Sequence, residues 1–363
     1  MNKQSIHFPG LNGIRAIAAI IVVVFHTDQW SHYFGLPSIG FWKTGMHSYA
    51  VVLFFVLSGF LITYLLMTEK VNYGKVDFRK FYIRRILRIW PVYYLVLFVG
   101  TFLLIAFHFW TGRNLFQIFL FHFFLIPNIV FSFGFKAELI GILWSVGAEE
   151  QFYAFWPFLI NKSKNVIRTL LIFIGIYLII KWVLVTYVTS IQFGTHLQFV
   201  PFHLMAVGGV AAWLYFTNSK LLRVIYHPLV QIFAWIFLIF SVIVHPAHFP
   251  FLMMFDRTYH AVMYAIIILN VSTNPKTIIT LENKVFNYLG RISYGIYAYH
   301  FILLFLLSLG FRKILPYIHF NWLKEAIMFT SVLGFTIIVS RLSFNYFEKW
   351  FLSQKEKFAK VKT

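Results

Sequence analysis

Long apolar runs separated by short polar segments make up almost the whole chain. Several of these runs reach the roughly 20 residues that an α-helix needs to cross about 30 Å of hydrocarbon. The pattern therefore predicts an all-α fold, a polytopic integral membrane helix bundle with about ten transmembrane helices. The apolar stretch at 115–127 is too short to span and predicts a re-entrant or interfacial segment. The predicted spans are 11–30, 47–67, 90–110, 143–161, 166–186, 197–216, 225–244, 257–272, 291–310 and 323–343.

The polar segments between the spans differ in charge, and this difference predicts the orientation of the bundle. All but eight of the 31 Lys and Arg residues fall in segments that would lie on the same side as the N-terminus. Cytoplasmic loops are enriched in Lys and Arg, so both termini are predicted to be cytoplasmic. Residues 1–363 are interpreted as a single membrane domain, with the last span ending near 343 and 344–363 forming a cytoplasmic tail. The eight exceptions are Lys43, Arg113, Lys136, Lys181, Arg257, Arg312, Lys313 and Lys324.

Composition excludes several classes of protein. Hydrophobic residues make up 60% of the chain and charged residues only 12%, about half the charged fraction of a soluble domain. The formal charge of +20 follows the inner loops, which favours membrane lipid over nucleic acid as a partner. The chain has no Cys, which excludes a thiol nucleophile and a thiolate zinc site. His245 and His248 lack a third ligand, so no metal site is predicted.

The first span carries two ionisable side chains, Arg15 and His26. Eleven residues of helix bring both to one face and separate them by about 16 Å. Such groups at membrane depth usually face the protein interior or a water-filled cavity. His26 has the chemistry of a proton acceptor near neutral pH, and Arg15 could hold a phosphate or carboxylate. The alternative is that Arg15 reaches lipid head groups and His26 only caps the outer end of the span.

A basic segment precedes the third span and contains Arg84, Arg85 and Arg88. If the segment is helical, Arg84 or Arg85 shares a face with Arg88. Pro91 predicts a break or the first turn of a helix. A guanidinium cluster at the inner surface is suited to binding phosphates through paired hydrogen bonds. Anchoring to lipid head groups explains the same residues equally well.

A pair of acids, Glu149 and Glu150, adjoins the aromatic fourth span. On a helix the two carboxylates point about 100° apart, so one can face a cavity. A buried carboxylate there could pair with Arg15 or orient the imidazole of His26. The alternative is that the two acids form a capping pair at the membrane interface and neutralise a nearby Lys. Possible substrate-lining residues, for which packing is the simpler role, are Trp144, Ser145 and Tyr153, together with Arg291 and His300 of the ninth span.

Five phrases of the sequence resemble those of the membrane acyltransferases of the acyltransferase-three family, which transfer acyl groups from acyl-CoA to sugar hydroxyls, and a sixth, LSFNYFEKWFL, resembles the family's closing phrase. The resemblance covers nearly the whole chain. Two departures are Asn12, where the family usually has Asp, and Val52, where many members have an acid. The phrases are LNGIRAIAAIIVVVFHT, VVLFFVLSGFLI, FYIRRILRIWPVYY, LWSVGAEEQFYAFWP and LGRISYGIYAYHFILL.

The resemblance implies a role for each motif. His26 corresponds to the family's catalytic base, and Glu149 is the better candidate of the two acids for a second catalytic residue. Arg84, Arg85 and Arg88, together with Arg15, are expected to bind the donor. The resemblance thus predicts an O-acyltransferase of the bacterial inner membrane, with acyl-CoA, expected to be acetyl-CoA, as co-substrate and no bound cofactor. Its acceptor would be a carbohydrate of the cell envelope. A transporter of glycan or acyl donor, and a non-catalytic partner of polysaccharide synthesis, stay open as alternatives.

Overall fold

The computed structural model describes residues 7–108, 114–132, 134–135, 138–187, 200–243 and 250–358. Over these residues every regular element is a helix. The helices are α1 (Leu11–Gln29), α2 (Met46–Tyr73), α3 (Phe78–Ala106), α4 (Leu115–Phe123), α5 (Asn128–Ser132), α6 (Trp144–Lys162), α7 (Val166–Tyr187), α8 (Phe202–Phe216), α9 (Leu222–Ile225), α10 (Pro228–Ile243), α11 (Pro250–Thr273), α12 (Lys284–Arg291), α13 (Ser293–Ile314), α14 (Asn321–Ser343) and α15 (Lys349–Glu356).

The positions of the helices agree with a helical membrane protein. Each of the ten predicted spans coincides with one of them. Six helical runs in the described residues are long and apolar enough to cross a membrane, namely α1, α2, α3, most of α7, α13 and the run from α14 through α15. Helices α8 and α10 are shorter and apolar. The count of ten and the cytoplasmic termini stay predictions.

Three boundaries differ from those that the apolar pattern predicted. Helix α3 begins at Phe78, where the Asp77 side chain accepts the Lys80 backbone N–H at 3.1 Å. The prediction that Pro91 marks a break or the first turn of a helix is therefore wrong, because this residue lies inside a continuous helix. At the C-terminal end, the helix does not stop near 343, since a π-helical turn (Phe344–Glu348) joins α14 to α15. The apolar pattern missed these extensions because their exposed faces are polar.

Two glycines set the closest helix crossing, between α2 and α8. A Cβ atom at Gly59 would overlap the backbone carbonyl of Met205, and one at Gly208 would overlap that of Val56. Small residues allow this approach, which is a main source of helix association in membranes. Gly59 therefore permits close packing of α2 on α8. Its neighbour Ser58 instead donates its hydroxyl to Glu149.

Replacing Gly59 by Ala is expected to destabilise the protein. The added methyl meets a backbone carbonyl, which cannot rotate away, so the crossing must widen at a cost of about 1–3 kcal/mol or more. Thermal unfolding in detergent measures the loss. Gly334→Ala is the matched control, because a Cβ there has no neighbour within 4 Å and should leave the midpoint unchanged. Equal midpoints for both variants would contradict a tight crossing.

The start of α1 is held by Glu282, in the connection before α12. One carboxylate oxygen of Glu282 accepts the backbone N–H of Gly10, and the other accepts the Asn287 amide at 2.7 Å. These hydrogen bonds, with the nearby His7, hold the pKa of Glu282 below its ordinary value. Gly290 packs so closely on the backbone of Asn12 that a Cβ would not fit. The contacts fix the end of α1 that carries Arg15.

Acid is expected to loosen this end of α1. The pKa of Glu282 is lower in the folded protein than in the unfolded chain, so its stabilisation is present above the ordinary glutamate value of about 4.3 and is lost as the pH falls through the folded-state value. Glu282→Gln should flatten this acid limb of the unfolding-midpoint profile in detergent. An unchanged limb would show that other carboxylates cause the acid loss. Glu325→Gln serves as the control for a general charge effect.

Candidate active site

Helix α1 carries Arg15 and His26 at two depths of the bundle. The imidazole of His26 is 8% exposed, so it faces the protein and not the surrounding lipid. Between the two side chains the helix presents Ala18, Ala19 and Val22, all fully buried. The predicted one-face arrangement therefore lies inside the bundle. At 1.5 Å per residue the separation along the helix is about 16 Å.

His26 forms a hydrogen-bonded pair with His300 of α13. The Nδ1 atom of His26 lies 3.0 Å from Nε2 of His300, and the rings are nearly parallel, 20° apart. On its other side, Nδ1 of His300 lies 2.7 Å from the carbonyl oxygen of Tyr297. A carbonyl can only accept, so Nδ1 of His300 carries a hydrogen and its Nε2 is the acceptor in the neutral ring. His26 must then donate from Nδ1, which leaves Nε2 of His26 with a free lone pair.

A third imidazole, that of His47 at the start of α2, completes this end of the site. It stacks on Phe25 with ring centroids 3.8 Å apart, and its centroid lies 5.7 Å from that of His26. Its Nδ1 atom is buried and has no hydrogen-bond partner. We refer to His26, His47 and His300 as the histidine cluster. The sequence analysis missed His47, whose only signal was a His among apolar residues at the start of a span.

Two hydroxyls lie next to the histidine cluster. The Ser145 and Tyr297 hydroxyls are 2.6 Å apart, and both are buried. Because the Tyr297 carbonyl also holds His300, this tyrosine connects the hydroxyl pair to the imidazole pair. The structure thus brings Ser145 and His300 to the same end of the bundle. Trp144 packs edge-on against Phe55.

A cationic group lies at the other end of α1. Arg15 is within electrostatic range of Arg85, Arg88, Glu149 and Tyr153. The guanidinium of Arg85 lies 5.9 Å from the Tyr153 ring centroid, and its Nε atom is buried with no hydrogen-bond partner. We refer to Arg15, Arg85 and Arg88 as the arginine group. The unsatisfied donor on Arg85 suits an anionic ligand with oxygen acceptors.

Glu149 lies within electrostatic range of Arg85 and Arg88, and also of Tyr297. Its two carboxylate oxygens accept the hydroxyls of Ser58 at 3.0 Å and Tyr153 at 2.9 Å. Of the two roles considered for a buried carboxylate, pairing with Arg15 fits this position, whereas orienting His26 does not. His300 occupies that second role. Glu150 instead accepts the Trp90 indole N–H at 2.8 Å.

Arg84 lies within electrostatic range of Arg85 and has further contacts of its own. Its guanidinium pairs with Glu69 at 3.3 Å, and it also donates to the carbonyl of Phe358 at 2.9 Å. The Glu69 side chain is 2% exposed. The ion pair joins α2 to α3, and the hydrogen bond to Phe358 connects both helices to the segment after α15. Arg84 stays a predicted donor-binding residue, although one residue of helix turns its side chain about 100° away from that of Arg85. Arg291 also differs from expectation, since its side chain is exposed at the end of α12.

The C-terminal helix approaches the arginine group. Lys355 of α15 lies within electrostatic range of Arg85 and Arg88, and Glu348 of the π-helical turn lies near Arg88. π-helical turns frequently mark functional sites. The sequence analysis interpreted Glu348 as part of the structural end of the last span and Lys355 as part of a tail, and so assigned neither to the site. His245 and His248 lie outside the described residues.

Comparisons with a family model and with individual proteins point to the same family. A family described as an acyltransferase domain matches residues 8–342. The peptidoglycan O-acetyltransferase OatA of Listeria monocytogenes is 28% identical over 97% of this chain and 58% of its own length. The putative peptidoglycan O-acetyltransferase YrhL of Bacillus subtilis is 26% identical over 94% of this chain and 54% of its own. The O-acetyltransferase OatA of Staphylococcus aureus is 32% identical over 49% and 30%, respectively.

The chain thus spans little more than half the length of the first two relatives. No solved structure matches it significantly.

Proposed function

This chain belongs to the acyltransferase-three family, and from that premise we propose that it is an O-acetyltransferase of the bacterial cell envelope. The donor in this proposal is acyl-CoA, in the form of acetyl-CoA, and the acceptor is a hydroxyl of peptidoglycan or another envelope glycan. The names of the relatives support an acetyl group and a glycan of the cell wall. The predicted location is the bacterial inner membrane, which the apolar helices support.

The observation that carries the proposal is the hydrogen-bond chain through two imidazoles. The Tyr297 carbonyl fixes the tautomer of His300, and His300 in turn fixes that of His26. The Nε2 lone pair of His26 is then available for a general base, which must accept a proton from the acceptor hydroxyl. A neighbour that holds the base in the reactive tautomer is the recurring arrangement in acyl transfer. Here a neutral imidazole takes the place usually held by a carboxylate.

The arginine group supplies the complementary half of the proposal. Three guanidinium groups gathered around Glu149 leave an excess of positive charge at one depth of the bundle. Acyl-CoA carries several phosphate charges on its nucleotide part and a neutral thioester at the far end of a long arm. The arginines would bind the phosphates, and the arm would extend along α1 towards His26, about 16 Å away.

The reaction needs only one proton to move. Nε2 of His26 takes the hydroxyl proton while the oxygen attacks the thioester carbonyl. The C–S bond then breaks, the ester forms, and the proton passes from the imidazolium to the departing thiolate, which leaves as the thiol. In this proposal the Ser145 and Tyr297 hydroxyls, which Tyr297 connects to His300, donate hydrogen bonds to the developing oxyanion, the charge that most acyl-transfer enzymes stabilise.

Mass spectrometry of envelope glycans tests the function directly. Cells with the protein should show glycans heavier by one acetyl group than cells without it, and isotope-labelled acetyl-CoA supplied to proteoliposomes of the purified protein should deliver the label to the glycan. Glycan that is exported but never acetylated would favour a non-catalytic partner. Loss of export itself in the deletion strain would favour a transporter.

A further inference from the structure

A second polar group lies inside the bundle, away from the arginine group. It consists of Tyr49 on α2, Lys181 on α7, His203 on α8, and Asp256, Arg257 and His260 on α11, and we refer to it as the Arg257 group. Arg257 is seven residues, or about 10 Å, from the start of α11. Ionisable residues within membrane helices are costly and usually mark a substrate or ion pathway.

The Arg257 group is built around stacked rings and a shared carboxylate. His260 contacts Asp256 at 3.2 Å and Ser241 at 3.0 Å, and its ring stacks on Tyr49 with centroids 3.9 Å apart and planes 12° apart. Tyr49 also hydrogen-bonds Asp256. Asp256 is the one carboxylate among these members of the group, and His260 and Tyr49 both contact it.

Cations outnumber acids in the Arg257 group. Lys181 lies within electrostatic range of both Arg257 and Asp256, so two positive charges face one negative charge among the members that the structure describes. His203, which is 3% exposed, stacks on Tyr177 with ring centroids 4.2 Å apart. Its Nδ1 atom is buried with no hydrogen-bond partner. An oxyanion bound here would balance the excess positive charge and accept a hydrogen bond from this Nδ1 atom.

His47 connects the Arg257 group to the histidine cluster. It lies within electrostatic range of Arg257 and 5.7 Å, centroid to centroid, from His26. An acceptor whose anionic substituent lay beside Arg257 would thus place a nearby hydroxyl towards Nε2 of His26. The arginine group is at the opposite end of α1. A donor bound there would leave the His26 end available to a second substrate.

We propose that the Arg257 group is the acceptor site and that it recognises an oxyanion, carboxylate or phosphate, close to the hydroxyl that becomes acetylated. The inference rests on the proposed function and adds a substrate class to it. Arg257 binds the oxyanion with Lys181 as the second cation, and His203 supplies a hydrogen bond from Nδ1. The histidine cluster performs the proton transfer on the neighbouring hydroxyl.

The test compares matched acceptors on the purified protein in proteoliposomes with acetyl-CoA. The acceptors are a disaccharide with a free carboxylate, the same disaccharide as its carboxamide, and a disaccharyl phosphate. The wild-type protein should have at least a tenfold lower KM for the carboxylate or the phosphate than for the carboxamide. The preferred anion identifies whether the charge comes from the sugar or from a phosphate-linked precursor. No preference for either anion would overturn the proposal.

Variants assign the preference to the residue. Arg257→Gln should raise KM for the preferred anionic acceptor about tenfold or more, as expected for a lost hydrogen bond to a charged group. KM for the carboxamide and for acetyl-CoA should stay unchanged, and Arg257→Lys should retain part of the preference. Arg312→Gln, at an exposed site, is the control. If Arg257→Gln lowers activity equally with charged and neutral acceptors, the arginine is structural and the proposal is wrong. Absence of transfer with every acceptor would instead contradict the proposed function.

Discussion

Replacing His26 by Ala is expected to reduce acetyl transfer by about 10²–10⁴-fold, the contribution typical of a positioned general base. The loss should appear in kcat, since in the proposed mechanism the imidazole acts on the acceptor proton and the donor binds at the other end of α1. Transfer of labelled acetyl groups by the purified protein measures it. His319→Ala, at an exposed position, should have wild-type activity.

His300 allows a sharper test of the tautomer argument. His300→Gln keeps an amide oxygen that can accept the Nδ1 hydrogen of His26, whereas His300→Phe removes the acceptor. We expect Gln to retain more activity than Phe, and both to exceed His26→Ala. The pH dependence of kcat should move in the Phe variant only. Equal activities for Gln and Phe would show that His300 merely fills space.

The second large effect is expected at Arg85 and Arg88. Each Arg→Gln change should raise KM for acetyl-CoA about tenfold to a hundredfold, as expected for the loss of hydrogen bonds to a charged phosphate. The acceptor KM should be unaffected, and added salt should weaken donor binding in the wild-type protein more than in the double variant. Arg79→Gln is the control, on the same helix with an exposed side chain. An unchanged donor KM would exclude the arginine group as the phosphate site.

Substitution of Arg84 is expected to lower stability without changing donor binding. Its partner Glu69 is almost fully buried, so Arg84→Gln removes a hydrogen bond to a charged group, which typically contributes about 1.5–3 kcal/mol. The unfolding midpoint in detergent should fall while the donor KM of the folded fraction stays normal. The opposite outcome, a stable protein with weakened donor binding, would return Arg84 to the phosphate site.

The sequence predicted those features that depend on local periodicity. Apolar runs located the helices, and the spacing of Arg15 and His26 placed both on one buried face of α1. The resemblance selected Arg84, Arg85 and Arg88. These inferences needed only the geometry of one helix or the order of motifs along the chain, which sequence supplies directly.

The partners of these side chains could not be predicted, because they depend on contacts between helices far apart in the chain. His26 and His300 are separated by 274 positions, and no local pattern shows that they meet. The division between Arg84 and Arg85 required knowledge of Glu69 on another helix. Glu149 was predicted to be catalytic on resemblance, and only the packing of α2 against α6 shows that Ser58 and Tyr153 occupy its oxygens. Asp256 and Arg257 of α11 can be seen in the sequence, but the sequence does not show which side chains of other helices lie near them.

The fixed tautomers of His26 and His300 limit how much charge the site can store. The two neutral imidazoles, joined by one hydrogen bond, can take up a single extra proton. A second extra proton would place two positive charges on adjacent rings in a poorly hydrated interior. Each catalytic cycle must therefore discharge that proton before another acceptor can react. A thiolate leaving group provides the discharge on the spot, so turnover would need neither a buffer molecule reaching the interior nor an ion gradient across the bilayer.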